Sequence, residues 1–338
     1  MRIGLVAPPW ISVPPTRYGG TEAVIDRLAR GLVGEGHEVL LMATGDSTCP
    51  VEKRWAFETP PATMGSTLPE LHHVQVAYEE LAGCDVIHDH TLSGPVWAAT
   101  VRHRPPVLAT NHGEFNEPVR RLFRHLADRV AVSAISESQA SFAPDLRIAG
   151  VVHHGLDLER FEMGRGDGGY VLFIGRCTPD KGLDRAIRIA RAAGLPIVVV
   201  AKMREDDEIR YFEEKVQPLL GPGVEYLGEV HPDERDRLLR GAVALVNPIA
   251  WPEPFGLVMV ESLACGTPVI TSPLGAAPEI VDDGVTGFLC RDEDEGVAAL
   301  RTIGSLDRGD CRAAVEQRFS AKRMVHDYLT LYASLAFA

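Results

Sequence analysis

The chain has 338 residues, more than one hydrophobic core usually supports, so we expect two domains of about 150 residues each. Apolar residues make up 45% and charged residues 24% of the chain, which is the composition of an ordinary globular protein. The net charge of −13 argues against a nucleic-acid partner, because an acidic chain lacks a broad phosphate-binding field.

No apolar run approaches the roughly 18 residues that a membrane-spanning helix needs, so we expect no stable membrane insertion. The chain begins directly with a strand pattern rather than with a signal peptide. Its six cysteines are scattered, and no two of them form a Cys-x-x-Cys pair. These features predict a cytoplasmic protein with reduced thiols.

Short β-branched runs alternate with longer amphipathic segments, and this alternation predicts an α/β protein with parallel sheets and crossover helices. In the first half, strands are predicted at 3–7, 38–43, 85–88, 107–110 and 129–132, and helices at 21–35, 68–82, 94–102, 117–127 and 137–141. In the second half, strands are predicted at 170–174, 197–201, 224–227, 243–246, 268–271 and 287–289, and helices at 182–193, 206–219, 232–240, 257–264 and 294–303.

The glycine-dense stretch 163–169 is predicted to be the linker between the two halves. The predicted domains are therefore 1–162 and 163–318, followed by a segment 319–338 whose helical pattern could cover either domain. Ligands of open α/β domains bind at the carboxyl ends of the strands. We therefore expect the site in a crevice between the halves.

Two cations follow the first strand of the second half. Arg176 offers a planar fork of donors and Lys181 a compact positive charge, at a predicted strand-to-helix turn. Such a pair suits a diphosphate, whose negative charge must be neutralised when it departs as a leaving group. The alternative is that Lys181 only begins a solvated helix.

Two carboxylates, Glu253 and Glu261, stand on either side of a glycine turn and a helix start. Gly256 permits the tight turn, and the first amides after it have no intrahelical partner, so they can bind an anion such as phosphate. Glu253 could accept hydrogen bonds from sugar hydroxyls, and Glu261 from the vicinal hydroxyls of a ribose. A solvated helix start is again the alternative.

Gly19 and Gly20 open the first helix and could let a ligand approach the backbone, although a plain turn explains them equally well. They do not form the Gly-x-Gly-x-x-Gly fingerprint, which argues against a dehydrogenase.

Histidines cluster in two loops of the first half, as His88-Asp89-His90 and as His112-Gly113-Glu114, and each group follows a strand. A site at this sheet edge is therefore expected. Zinc ligation by the first group is the alternative, but residues i and i+2 of an extended chain point to opposite sides. Asp292-Glu293-Asp294 has the spacing of a metal–nucleotide motif, but a helix cap explains it more simply.

With these loops placed, the chain resembles the retaining, nucleotide-sugar-dependent glycosyltransferases of family 4, which have the GT-B architecture of two facing Rossmann-like domains. The resemblance rests on Tyr18-Gly19-Gly20-Thr21-Glu22, His112-Gly113, Gly155-Leu156-Asp157, Gly175-Arg176 with Lys181-Gly182, Glu253-Pro254-Phe255-Gly256 with Glu261, and the stretches 264–270 and 278–288.

The resemblance implies a role for each matched position. Arg176 and Lys181 would hold the donor diphosphate, and Glu261 would bind the ribose. Glu253 would contact the transferred sugar. His112 would lie beside that sugar and orient it or help stabilise charge. The remaining implied contacts are to the donor from Gly19, Gly20, Phe255, Gly256, Leu257 and Val230, and to the acceptor from His88, Asp89 and Glu114. The resemblance also implies that no metal or cofactor is needed and that the last helix crosses back to the first domain.

The chain departs from the family pattern at two places. It has His153-His154-Gly155 where the family usually has Pro-Asn-Gly, and the stretch 275–279 lacks a second glycine.

The hypothesis is a retaining glycosyltransferase that moves a sugar from a UDP-sugar to an acceptor hydroxyl, such as that of a small metabolite or natural product. The alternatives are a GDP-mannose-dependent mannosyltransferase of cell-envelope or lipid-linked acceptors, a phosphorylase or epimerase of the same fold, and a catalytically inactive binding protein.

Overall fold

The computed structural model describes residues 1–17, 19–101 and 104–337. Tyr18 of the glycine motif and Arg102, the predicted end of a helix, lie outside these residues. The chain divides into two compact units, Met1–Leu156 with Ala321–Ala338, and Asp157–Ser320.

The first unit contains a seven-stranded parallel sheet in the order β3-β2-β1-β4-β5-β6-β7. Its strands are β1 (Arg2–Val6), β2 (Glu38–Met42), β3 (Glu52–Arg54), β4 (Val86–Asp89), β5 (Val107–Thr110), β6 (Ala131–Ala134) and β7 (Ile148–Val151). Its first five helices are α1 (Gly20–Gly34), α2 (Thr67–Glu80), α3 (Ser93–Thr100), α4 (Glu117–Leu126) and α5 (Glu137–Ser141).

The second unit contains a six-stranded parallel sheet in the order β10-β9-β8-β11-β12-β13. Its strands are β8 (Val171–Arg176), β9 (Ile197–Lys202), β10 (Val224–Tyr226), β11 (Leu245–Asn247), β12 (Val269–Thr271) and β13 (Gly287–Leu289). Its helices are α6 (Leu183–Ala193), α7 (Asp206–Tyr211), α8 (Pro232–Gly241), α9 (Leu257–Ala264), α10 (Ala277–Ile280), α11 (Glu293–Thr302) and α12 (Arg308–Arg318).

The predicted alternation of strands and helices is confirmed, but two edge strands and the helices α10 and α12 were not predicted. The strands β3 and β7 were not predicted, because both are short edge strands: β3 consists of three charged residues, and β7 has four residues with a glycine among them. The predicted helix 206–219 is broken, since α7 continues as one π turn and then as a 3₁₀ turn. Both sheets have central strands that are buried and apolar, as parallel sheets covered on both faces require.

The stretch 163–169 was predicted to be a linker, and this prediction is wrong. The backbone amide of Gly164 donates to the carbonyl of Cys265 at 2.9 Å, and that of Gly168 donates to the carbonyl of Gly241 at 2.9 Å. The stretch is therefore bound to the second unit, and the chain enters that unit earlier, between Leu156 and Asp157. Glycines serve here for close backbone approach rather than for flexibility.

The last helix, α13 (Ala321–Ala336), lies with the first unit. It packs against α1, and a Cβ at Gly31 of α1 would lie only 2.4 Å from a methyl carbon of Val325. No helix within the described ranges is long and apolar enough to cross a membrane. All six cysteines are free and buried.

Substitution of two glycines in α1 tests the packing of α13 against that helix. We expect Gly31→Ala to lower the free energy of unfolding by about 1–3 kcal/mol, the usual cost of overpacking. Gly34→Ala is the matched control, since nothing lies within 4 Å of its Cβ position, and it should stabilise the helix by about 0.5 kcal/mol. Urea unfolding measures both values. Equal effects of the two substitutions would contradict this packing.

His73 of α2 tests the effect of burial on a histidine. It is fully buried and shares a hydrogen bond of 2.9 Å with the carbonyl of Ala7, and burial lowers its pKa from 6.5 to about 4. Folding therefore favours the neutral ring, and the resulting stability is present above pH 6.5 and is lost as the pH falls toward 4.

Between about pH 7.5 and 5.5 this loss amounts to about 1 kcal/mol. We expect His73→Gln to remove that part of the acid destabilisation, as measured by urea unfolding at both pH values. The control is His72→Gln, because His72 is the exposed neighbour. An acid loss in His73→Gln equal to that of the wild type would contradict the assignment.

Candidate functional site

An ion pair joins the two segments of the second unit that the sequence singled out. Lys181 Nζ donates to Glu253 Oε1 at 2.5 Å, and each side chain is only 12% exposed. The ammonium group also lies 5.2 Å from the ring centroid of Trp251. The other carboxylate oxygen, Glu253 Oε2, is buried and has no hydrogen-bond partner among the residues described. The structure therefore brings together a predicted diphosphate-binding cation and a predicted sugar-binding carboxylate, and both roles stay predictions.

Two glycines allow the backbone to form this pair. Gly182 has a φ of +72° at the start of α6, directly after Lys181, and a Cβ there would lie 2.3 Å from the carbonyl oxygen of Pro248. Gly275 has a φ of +58°, and a Cβ there would lie 2.3 Å from the backbone of Glu253. Both positions require a residue without a side chain, since a left-handed φ and a close neighbour coincide.

The start of α9 presents amides beside Glu253. In the part of the chain that the structure covers, the N–H groups of Gly256 and Leu257 have no hydrogen-bond partner. The Cδ of Glu253 lies 3.7 Å from the position that a Cβ of Gly256 would occupy. Phe255 is buried, with its ring 6.0 Å from that of Phe319. Free amides at the positive end of a helix can bind an anion, and the anion site expected at this turn stays a prediction.

Glu261 lies in the second turn of α9, and the structure gives it a partner that the sequence did not reveal. Arg235 of α8 approaches it with Nη1 at 3.3 Å from Oε2, and Glu261 is 6% exposed. The neighbouring Glu261 charge raises the pKa of Arg235. Arg235 also contacts Asp236 at 3.4 Å. No pattern around residue 235 distinguishes it from other helix arginines, so only the tertiary structure identifies it.

The other two donor-side residues make fewer contacts. Arg176 ends β8 and stays 40% exposed, with Nη2 4.0 Å from Asp180 Oδ2. Val230 lies half-buried in the loop after β10. Its expected contact with the donor stays a prediction.

In the first unit, His88 is fully buried at the end of β4. Its Nδ1 shares a hydrogen bond of 2.7 Å with the hydroxyl of Tyr332 on α13, and its Nε2 shares one of 2.6 Å with Thr110. Burial lowers its pKa well below 6.5. Since both nitrogens are bound inside the unit, its predicted acceptor-side role stays a prediction that would require movement.

His90, His112 and His154 form a row of imidazoles. His90 Nδ1 and His112 Nε2 are 2.9 Å apart, and His112 Nδ1 and His154 Nε2 are 3.4 Å apart. Burial lowers the pKa of His112 to about 4 and the pKa values of the other two well below 6.5, so all three rings are neutral at pH 7. His154 was noted in the sequence only as a departure from the family pattern.

The two acidic residues predicted on the acceptor side differ in their surroundings. Asp89 is fully buried, accepts hydrogen bonds from Thr91 and from the hydroxyl of Tyr78, and has a pKa raised to about 6 by burial. These contacts fix the loop after β4. Glu114 is exposed, and its backbone carbonyl accepts a hydrogen bond from Asn111.

The double glycine precedes and opens α1. Gly19 and Gly20 lie beside Glu22, which is buried and has a pKa raised to about 7 by burial. Glu22 lies in the first turn of α1, and the sequence identified it only as the last residue of the motif Tyr18-Gly19-Gly20-Thr21-Glu22, without a role of its own. Contact of these glycines with a donor phosphate stays a prediction.

No group of three possible metal ligands occurs among the residues that the structure describes. The argument that His88 and His90 point to opposite sides is wrong, because their ring centroids are 4.0 Å apart. This proximity arises because β4 ends at Asp89 and the chain turns. Asp292 caps α11 by accepting a hydrogen bond from the amide of Glu295, so the helix-cap prediction is confirmed.

Two family models match the chain. The model described as Glycosyltransferase Family 4 matches residues 18–160, and the model described as Glycosyl transferases group 1 matches residues 157–314. Together they include both groups of loops described above.

Individual proteins give the same result. The phosphatidyl-myo-inositol mannosyltransferase of Mycolicibacterium smegmatis is 27% identical, over 97% of this chain and 90% of that protein. A D-inositol 3-phosphate glycosyltransferase of Mycobacterium sp. (strain KMS) is 32% identical over 69% of this chain, and the match spans only 62% of that protein. The structure of Anabaena Alr3699/HepE in complex with UDP and glucose has a TM-score of 0.78 at 21% identity, over 98% of this chain and 99% of that one.

The two parallel sheets are those of a GT-B fold with two Rossmann-like domains, and the matched models span the donor loops. The chain therefore belongs to the family 4 glycosyltransferases, which transfer a sugar from a nucleotide sugar.

Proposed function

We propose that this enzyme transfers a sugar from a UDP-sugar to an acceptor hydroxyl, with retention at the anomeric carbon and without a metal. The observation that carries the proposal is the buried pair of Lys181 and Glu253 beside the free amides of Gly256 and Leu257. A cation, a carboxylate and anion-binding amides are the groups that a sugar diphosphate needs around its breaking bond.

Lys181, Arg176 and the α9 amides would bind the diphosphate and stabilise the charge that develops as it leaves. Two cations and a helix start supply the positive charge that a metal supplies elsewhere, which supports a reaction without one. Glu253 Oε2 has no partner in the described residues, and a hydroxyl of the transferred sugar would provide one.

The proposed reaction exchanges one bond to the anomeric carbon for another. The bond from that carbon to the diphosphate oxygen breaks, and the acceptor oxygen attacks from the same face. The acceptor proton passes to a donor phosphate oxygen, so no side chain becomes covalently bound. Mass spectrometry that found a sugar attached to any side chain would contradict this route.

Glu261 would accept hydrogen bonds from the ribose hydroxyls, and Arg235 would orient its carboxylate. This follows from their separation of 3.3 Å in a buried environment, where a charge without a partner is costly. Glu261 is thus ion-paired with α8 through Oε2, and a carboxylate in this position is a suitable acceptor for vicinal hydroxyls.

UDP is proposed because the structurally similar Alr3699/HepE was solved with UDP and glucose. A mannosyl donor carried by GDP is the second candidate, because a relative matched over 90% of its own length is named a mannosyltransferase. Two curated relatives are named for inositol-bearing compounds, which supports a polyhydroxylated acceptor, either small or lipid-linked. Six free thiols support a reducing compartment, and we propose the cytoplasm.

Removing either partner of the buried pair tests the site. We expect Lys181→Ala and Glu253→Ala each to slow UDP release from UDP-glucose by at least about a hundredfold, the scale of a lost transition-state contact. Arg188→Ala is the control, since Arg188 lies on α6, the helix that follows Lys181, and is a partly exposed residue paired with Glu293. Near-normal rates in both site variants would contradict the assignment.

A thermal-shift panel tests the donor. We expect UDP to raise the Tm more than GDP, ADP or TDP, because a ligand at about 100 times its Kd adds about 2.7 kcal/mol of stability. Lys181→Ala should abolish most of this shift. A larger shift with GDP would favour the mannosyl donor, and phosphate-dependent release of a sugar 1-phosphate would instead identify a phosphorylase.

A further inference from the structure

Three imidazoles in the first unit are linked through their ring nitrogens. His90 follows β4, His112 follows β5 and His154 follows β7, so all three lie at the carboxyl ends of strands in one sheet. The centroids of neighbouring rings are 5.1 Å apart in both pairs, and the rings of His112 and His154 are stacked at 22°. We call these three residues the imidazole row.

The middle ring has no nitrogen left for another partner. His112 Nε2 is bound to His90 at 2.9 Å, and His112 Nδ1 is bound to His154 at 3.4 Å. A neutral imidazole has one N–H and one lone pair. His112 must therefore donate to one neighbour and accept from the other, and the direction of one hydrogen bond fixes the direction of the other.

We propose that His90 and His154 are positioning residues that lock the tautomer and ring plane of His112. This inference rests on the proposed function in one respect, namely that His112 lies beside the transferred sugar. The row gives His112 a fixed orientation without a net charge. A ligand would then meet the edge and the backbone of His112, whose N–H and C=O have no partner among the described residues, rather than a ring nitrogen.

The groups around the row oppose its protonation. His88 lies against His90 with ring centroids 4.0 Å apart and ring planes tilted by 44°. Burial lowers the pKa of His154, and the positive charges of Arg27 and Arg323 lower it further. Among described residues, His90 Nε2 is buried and has no hydrogen-bond partner. A proton added at His90 Nε2 would have no acceptor among the described residues, and the row itself contains no carboxylate. The three rings therefore stay neutral at pH 7.

The row depends on a residue in which this chain departs from the family pattern. His154 stands where the family usually has Asn, and a ring reaches His112 with its distal Nε2. An asparagine amide corresponds to the Nδ1 position of histidine and a glutamine amide to the Nε2 position. This difference in reach supplies matched pairs of variants.

NMR of the ¹⁵N-histidine-labelled enzyme, without substrate, tests the proposal. Two-bond ¹⁵N–¹H correlations distinguish the protonated ring nitrogen from the bare one, and His112→Gln identifies the His112 signals. We expect one neutral tautomer of His112 in the wild type at about pH 7. His154→Leu and His90→Leu should give a mixture of tautomers, whereas His154→Gln and His90→Asn should keep a single one.

The rate of UDP release supplies a second readout. We expect UDP release by the two Leu variants to be slower than that of the wild type by about tenfold, which is the lower end of the cost of losing a partner that orients an imidazole. The Gln and Asn variants should stay within about threefold of the wild-type rate. His326→Gln, on an exposed position of α13, should match the wild type in both readouts.

The outcomes separate the two claims. A protonated or tautomer-exchanging His112 in the wild type would overturn the proposal, as would Leu variants with unchanged His112 correlations. If the NMR correlations are as expected but the wild type releases no UDP, the result would support the locked tautomer of His112 and contradict the proposed function.

Discussion

The ion pair of Lys181 and Glu253 is the interaction on which the second unit's site depends. Both groups are nearly buried, so each loses most of its hydration, and only close contact with the other offsets that cost. A buried ion pair contributes little net stability. Its presence is therefore better explained by a ligand that needs a cation and a carboxylate at one point than by the demands of folding.

The backbone around the pair is shaped to keep it in place. Gly182 turns the chain between Lys181 and α6, and Gly275 lets a neighbouring loop touch the backbone of Glu253. The absence of a second glycine in the stretch 275–279 leaves this close approach intact, because Gly275 itself makes the contact. The departure from the family pattern at this loop thus preserves the geometry that matters for Glu253.

The first unit holds a group of histidines by a different kind of contact. It holds His88, His90 and His154 as buried neutral rings and His112 as a partly buried one, and these rings form hydrogen bonds with one another or with nearby hydroxyls instead of pairing with opposite charges. Neutral rings cost less to bury than ions, and their hydrogen bonds are directional. A cluster of this kind can define the orientation of a side chain without attracting counter-ions.

The sequence by itself determined the alternation of strands and helices, the residue types at each strand end, and the cap at Asp292, because these depend on local patterns. It failed where the local pattern is weak, as at the edge strand β3, or ambiguous, as at 163–169, where glycines serve close packing. Only the tertiary structure decided the partners: Lys181 with Glu253, 72 positions away, Arg235 with Glu261, and His112 between His90 and His154. Such contacts depend on which strands and loops lie next to one another in the folded unit. This information is spread over the whole chain rather than held in any one motif.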